Sequence, residues 1–334
     1  MRFPPLVLTL ATLPAMALAA LVHAQVAVNE SAGRRETLIY SIEGLQAMGH
    51  GLAGHYALGQ SIDARATEDW NGGAGFAPIG RDGAPFTGSF DGRGHVIHGL
   101  FIHRPGENNV GLFGRTRNAT LRNVRLVGGQ VTGGENVGAL VGHHEAVDGS
   151  ARIDRACALV PVTASGTIGG LVGHNESYGG RSTISRSHAG AAVRGTGSNV
   201  GGLVGHNEAY AGSASIKQAY ASGVVDGRDY VGGLVGYNDA LRGLALISDS
   251  YASGAVNASG AVAGGLVGLD TNDRVAHSFY ATTDERGLAI NRFATSAGQG
   301  VTLDQLLRMP HFARWRSDGG QCDGVLPQLY DRLK

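Results

Sequence analysis

The sequence predicts an all-β fold, a parallel β-helix with three faces. Three observations carry that prediction. One line recurs as Val137-Gly-Ala-Leu-Val-Gly142, Ile168-Gly-Gly-Leu-Val-Gly173, Val200-Gly-Gly-Leu-Val-Gly205, Val231-Gly-Gly-Leu-Val-Gly236 and Ala263-Gly-Gly-Leu-Val-Gly268, preceded by the shorter Val110-Gly-Leu-Phe-Gly114. Its start-to-start steps are 27, 31, 32, 31 and 32 residues. Each unit carries three short β-prone runs separated by Gly, Asn, Ser and Asp, and none is long enough or periodic enough for a helix. Glycine supplies 55 of the 334 residues and charged residues only 16%, as a narrow dry core with many tight corners requires. A unit of this size cannot close a core alone, so successive coils must stack, about 4.8 Å apart. A β-propeller blade needs four strands and usually about 40 residues, a poorer match.

The elements follow in chain order. Residues 1–24 read as an export signal: Arg2, an apolar stretch from Phe3 to Val22, then Val22-His23-Ala24 before Gln25. Pro4, Pro5 and Pro14 fit a cleaved leader better than a membrane anchor. Residues 25–109 are expected to form an N-terminal cap and irregular first coils. There Ile42, Leu45, Met48 and Leu52 suit a short helix, followed by strand-like segments at Tyr56–Ile62 and Val96–Ile102. Residues 110–284 hold the repeat coils, in which aligned positions should form ladders up the stack. The inward columns are Leu121, Ile153, Ile184, Ile216, Ile247 and Val275, and then Val131, Val162, Val193, Val225 and Val256. Glycines are expected at the corners, where they permit positive φ and let the backbone bend without Cβ clashes. Residues 285–334 should close the open end: Thr302 and Gln305 have capping-box spacing, Val301 can staple to Leu306, and Pro310 stops the helix. Phe312, Trp315, Leu326 and Leu329 add apolar cover.

Composition excludes several classes. The formal net charge is zero, so there is no electrostatic footprint for nucleic acid. The glycines lack the three-residue period of collagen. A hydrophobic content of 43% without net charge argues against disorder. Two cysteines, Cys157 and Cys322, are too few for a disulfide scaffold, although an exported protein could pair them.

The candidate contact residues follow the last glycine of each repeat. That position holds His143, His174, His206, Tyr237 and Leu269, and the next holds His144, Asn175, Asn207, Asn238 and Asp270. Stacking places these as neighbouring ladders. Either the imidazoles and tyrosine offer a ligand-contact row, with the asparagines beside it, or both ladders only stack and satisfy hydrogen bonds. Zinc wants converging ligands, whereas a ladder spaces them along a line, so no metal is expected. The Tyr220, Tyr251 and Phe279 column reads as core or groove packing, or else as an outer strip. Leu171 and Val172 are both apolar although strand alternation sets them on opposite faces. Either the chain turns both inward or a partner chain covers the outer one. Glycan hydrolysis would need paired carboxylates. Asp63, Asp69, Asp82 and Asp91, with His50, His95 and His98, are the acid-rich region that could supply them. His144-Glu145-Ala146-Val147-Asp148 lacks the second histidine of a zinc-peptidase helix.

The Val-Gly-Gly-Leu-Val-Gly line resembles the GLUG repeat of bacterial surface and secreted proteins. These include filamentous-haemagglutinin-like adhesins and non-catalytic regions of IgA1-protease-type metallopeptidases. Leu45-Gln-Ala-Met48, Tyr56-Ala-Leu-Gly59, Ser61-Ile-Asp-Ala64, Gly75-Phe-Ala-Pro-Ile-Gly80 and Phe86-Thr-Gly-Ser-Phe-Asp-Gly92 are similar to the phrases that lead into such arrays. The resemblance covers residues 38–334. It implies a right-handed β-helix with an extracellular or cell-surface role, and it transfers no catalytic site. The resulting expectation is a secreted, periplasmic or surface-held, non-enzymatic binding or adhesion module. It needs no cofactor, meets an extracellular glycan or protein surface or self-associates, and has no membrane span after export. The alternative is a secreted polysaccharide lyase or hydrolase with an acidic site in the N-terminal third.

Overall fold

The structure, a computed structural model, describes residues 27–31, 34–291, 293 and 297–309. The expected leader 1–24, Cys322, Phe312, Trp315, Leu326 and Leu329 lie outside the described residues. What is described is a β-solenoid of about seven turns. Its strands pair in parallel from coil to coil in three sheets, except for the first pair, where Ala27–Ser31 runs antiparallel to Arg34–Ile39. The predicted three-sided stack is therefore present.

The repeat places its residues differently from three equal strands. The first two residues of the recurring line, such as Ile168–Gly169 and Val231–Gly232, form a short sheet of their own. The chain bends at Gly170 and Leu171, and a long strand begins at Val172. This corner resolves the alternation conflict: Leu171 and Val172 are both fully buried, as are Leu203 with Val204 and Leu234 with Val235. Both side chains turn into the core, so neither needs a partner chain to cover it. The long strands, Val172–Ser185, Val204–Lys217 and Val235–Ser248, run from the recurring line through the isoleucine column. Ile153, Ile184, Ile216 and Ile247 stack in register inside the core. The third sheet carries the tyrosine column and the valines of Val162, Val193, Val225 and Val256.

Positive φ is not what the repeat glycines supply. No glycine of the recurring line has it. The left-handed corner after each isoleucine is made instead by Asn123, Arg155, Arg186, Gln218, Asp249 and His277, with φ between 45° and 53°. The repeat glycines are needed for close approach. A Cβ on Gly205 would lie 2.6 Å from Gly173 O and 2.8 Å from Ile168 N and O, so the corner closes only without a side chain.

Both short helices form. Ile42–Ala47 is capped by Ser41 and buries Ile42 and Leu45. Leu303–Arg308 has the full capping box of Thr302 and Gln305. Its Leu303, Leu306 and Leu307 pack on Tyr220 and Tyr251, with Phe279 beside them. The tyrosine column therefore faces out of its sheet but is buried under the C-terminal helix, and it is not an open contact strip.

Candidate ligand-contact face

Each long strand leaves the core at the last glycine of the recurring line and doubles back on itself. Ser182 Oγ donates to Asn175 Oδ1 at 2.6 Å. One coil further, Asn207 Nδ2 reaches Ala214 O at 3.5 Å, and then Asn238 Nδ2 reaches Ala245 O at 3.3 Å. The segment between runs out and back through Gly179 or Gly212, both at positive φ. The result is a low fin, closed inside by Ala209, Ala214, Ala240 and Ala245.

Alternation along the outgoing limb sorts the side chains into two sets. The inner set is the ladder Thr116, His144, Asn175, Asn207, Asn238 and Asp270, in register from coil to coil. Each amide donates to the next: Asn175 Nδ2 to Asn207 Oδ1 at 2.7 Å, Asn207 to Asn238 at 2.8 Å, and Asn238 to Asp270 Oδ1 at 2.9 Å. Asn175, Asn207 and Asn238 are fully enclosed. They belong to the inside of the fin and cannot stand beside the rings as contact residues, because the returning limb covers them. Thr116 Oγ1 lies 2.6 Å from His144 Nδ1 at the top of the ladder. Burial drives the His144 imidazole down to about 3, so it is neutral.

The outer set makes three columns. His143, His174, His206 and Tyr237 stack with ring centroids 4.6, 4.7 and 4.8 Å apart and planes within 12°. Their faces are turned to one another, so the row offers ligands its edges, not its faces. Beside it stand Glu145, Glu176, Glu208 and Asp239, again in register. The third column carries Tyr178 stacked on Tyr210 at 4.8 Å, with Leu241 exposed in the following coil.

The first two columns are laced together diagonally. His143 Nε2 meets Glu176 Oε2 at 2.8 Å, and His174 Nε2 meets Glu208 Oε2 at 3.0 Å. The top carboxylate, Glu145, is gripped by Arg115 at 2.8 Å and Arg117 at 2.6 Å. The hydrogen bond from His143 holds the Glu176 carboxyl down at about 2. Glu208 is lowered by the bond from His174. At Glu145 burial pushes upward, but the bonds from Arg115 and Arg117 win and the carboxyl is lowered. Burial lowers His143 against the pull of Glu176 and takes His206 to about 3. The lowered imidazoles of His143 and His206 beside the lowered carboxyls of Glu145, Glu176 and Glu208 make the face a row of hydrogen-bonding groups with negative charge.

Sequence reasoning located the ring row and the buried ladder but missed the carboxylate and tyrosine columns. Both were signalled by recurrence: Glu145, Glu176, Glu208 and Asp239 follow the ring position by two residues, and Tyr178 and Tyr210 by four.

The acid-rich N-terminal region does not assemble into one site. Asp63 and His98 pair in register and line a cleft of about 630 Å³ with Arg65, Glu68 and Phe101. Arg65 grips Asp63 through both carboxylate oxygens and holds it down at about 2, unsuited to a general acid. Asp82 is bound by Asn109 and Arg115, and Asp91 by Arg122 and Asn123. His50 lines a separate cleft of about 520 Å³ with Gln46, Trp70 and Arg81. Cys157 is buried with Sγ 3.6 Å from His188 Nδ1; Cys322, with which export would permit it to pair, lies outside the described residues.

Among the described residues, no helix is long and apolar enough to cross a membrane. The chain is 49% identical over 92 residues, 27% of its length, to halomucin from Haloquadratum walsbyi. It is 43% identical over 89 residues to a protein of Evansella cellulosilytica provisionally named a Gly-rich membrane protein. It spans only 1% and 10% of those relatives. Its fold matches the crystal structure of a protein from Bacteroides ovatus provisionally called an immunoglobulin A1 protease. That match has a TM-score of 0.54 and 18% identity, over 84% of this chain and 88% of the other. The pattern of the GLUG motif matches residues 196–226 and 227–257, which are two of the coils that build the fin. These two coils match the GLUG motif, as the recurring line led one to expect.

Proposed function

We propose that this protein is an exported, non-enzymatic binding module that holds an extracellular glycan along the outer face of its fin. The observation that carries this reading is the three-column face itself. Ring edges, carboxylates and fin-tip tyrosines repeat along one straight surface at the strand spacing. A rigid row of donors and acceptors matches a polymer of hydroxyl groups better than a single small molecule. Imidazole edges and carboxylates are partners for sugar hydroxyls, and the exposed Tyr178, with the half-buried Tyr210 stacked on it, adds apolar surface at the rim. The names halomucin and Gly-rich membrane protein support a place at the cell surface, and residues 1–24 support export. The commitment of Asp63, Asp82 and Asp91 to arginine or asparagine partners supports binding over hydrolysis.

The test is retention of the purified protein on a panel of immobilised extracellular polysaccharides, with assays for reducing and unsaturated ends. Retention without product is expected. Substituting Tyr178 and Tyr210 by Ala should weaken it about tenfold, by loss of the exposed rim. Product formation would establish the enzyme reading instead. Retention unchanged both in that variant and in His174→Ala with His206→Ala would exclude the fin face as the contact surface.

A further inference from the structure

The ring and carboxylate columns also bring metal-ligating atoms together. His174, His206 and Glu208 each direct one ligand atom into a common space, with all three atoms within 4.8 Å of one another. The Glu208 carboxylate lies between the two imidazoles, with Oε2 3.0 Å from His174 Nε2 and 3.8 Å from His206 Nδ1. Zinc at about 2.1 Å from nitrogen and oxygen needs neighbouring ligand atoms about 3.0 to 3.5 Å apart. The His174–Glu208 pair already has that spacing. The His206–Glu208 pair is wider, and the two rings lie within 5° of parallel, so both must rotate about their side-chain bonds for their in-plane lone pairs to converge on one ion.

A second observation concerns His206 itself. His143 and His174 each bond to the carboxylate one coil below. Below His206 that position holds Asp239, one methylene shorter, and its Oδ1 accepts instead from Thr271 Oγ1 at 2.7 Å. The Nε2 of His206 is buried with no hydrogen-bond partner. Its Nδ1, which faces Glu208, stands 3.8 Å from Oε2, beyond hydrogen-bond reach, so of His143, His174 and His206 the last is the imidazole not held by a carboxylate hydrogen bond. The neighbours in the carboxylate column, Glu176 and Asp239, add like charge that a cation offsets. The set formed by His143, His174 and Glu176 is less favourable, because Arg115 stands in register with His143. His174, His206 and Glu208 keep 14%, 15% and 25% of their side-chain surface open, enough for water to complete the coordination.

We propose that His174, His206 and Glu208 form a site for one divalent transition-metal ion of the zinc class, with two imidazoles, one carboxylate and solvent as ligands. The donor set suits zinc, nickel or copper over calcium or magnesium, which prefer oxygen alone. A ladder read from sequence spaces its rings along a line. The diagonal reach of the glutamates from the next column is what makes the ligands converge.

The experiment is calorimetric titration of the untagged protein with zinc chloride, without any glycan, so that its result is independent of the binding role proposed above. One saturable ion per chain is expected. Glu208→Gln, which keeps the shape of the side chain, and His206→Ala should each weaken binding about tenfold or more, while His143→Ala should leave it within about twofold. Calcium should not compete at equal concentration. Circular dichroism confirms that each variant retains its β spectrum. No saturable zinc binding, or binding unaffected by Glu208→Gln and His206→Ala in folded protein, would overturn the site. Loss on His143→Ala with retention on His206→Ala would overturn the assignment in favour of the upper triad.

Discussion

His144 shows at the residue scale what one substitution in a ladder does. In coils below, the same position is asparagine and the ladder is a chain of amide hydrogen bonds. His144 keeps the place but brings a titratable ring into a fully buried site. An unfolded imidazole takes its proton near 6.5, whereas His144 and His188 take theirs only near 3. Between those values the unfolded chain binds more protons than the fold, so stability that is complete above about pH 6.5 is lost as the pH falls toward 3. Glu176, held near 2 against an ordinary 4.5, extends the loss below pH 4.5. Melting temperature is therefore expected to fall steadily from pH 7 to pH 4. His144→Asn should flatten that fall by up to one proton's share, measured as the pH slope of unfolding free energy from urea titrations; an unchanged slope would refute the assignment.

The corner of the recurring line matters at the element scale. Of the two roles the sequence suggests for its glycines, close backbone approach holds and positive φ does not: left-handed geometry falls to Asn, Asp, Arg, Gln and His elsewhere. The two roles separate experimentally. Gly205→Ala should cost about 3 kcal/mol, because backbone atoms on two sides cannot yield. Gly83→Ala, at positive φ in open space, should cost only about 1 kcal/mol. Chemical denaturation of both variants measures the difference. The fin carries a second element-scale expectation. Asn207→Ala leaves the amide oxygen of Asn238 and the amide group of Asn175 without their ladder partner, and should destabilise by about 2–3 kcal/mol.

The whole molecule is a stack in which each coil touches chiefly its neighbours. Deleting residues 200–230 removes one turn and joins Asn199 to Val231, which continues the same register because Val200 and Val231 are paired partners. The shortened chain should fold with a β spectrum, lose stability and lose the zinc site with His206. A chain that fails to fold would show that this coil is a nucleus and not a modular unit. The closed ends matter at the same scale: the helix Leu303–Arg308 covers the tyrosine column that would otherwise be an exposed aromatic strip.

By itself the sequence determined the period, the parallel stack, the inward isoleucine and valine columns, both short helices and the alignment of His143, His174, His206 and Tyr237. Those follow from spacing, because residues one turn apart in a solenoid must meet. Tertiary structure decided what spacing leaves open, which is the direction each column faces and what covers it. The bend at Gly170 and Leu171 turned two successive apolar residues inward. The doubled strand enclosed Asn175, Asn207 and Asn238 and left the rings outside with the glutamates. The diagonal reach of Glu176 and Glu208 came from side-chain length: glutamate reaches the ring one coil above, and the shorter Asp239 bonds to Thr271 instead. That difference of one methylene leaves His206 without a hydrogen-bonded carboxylate below it.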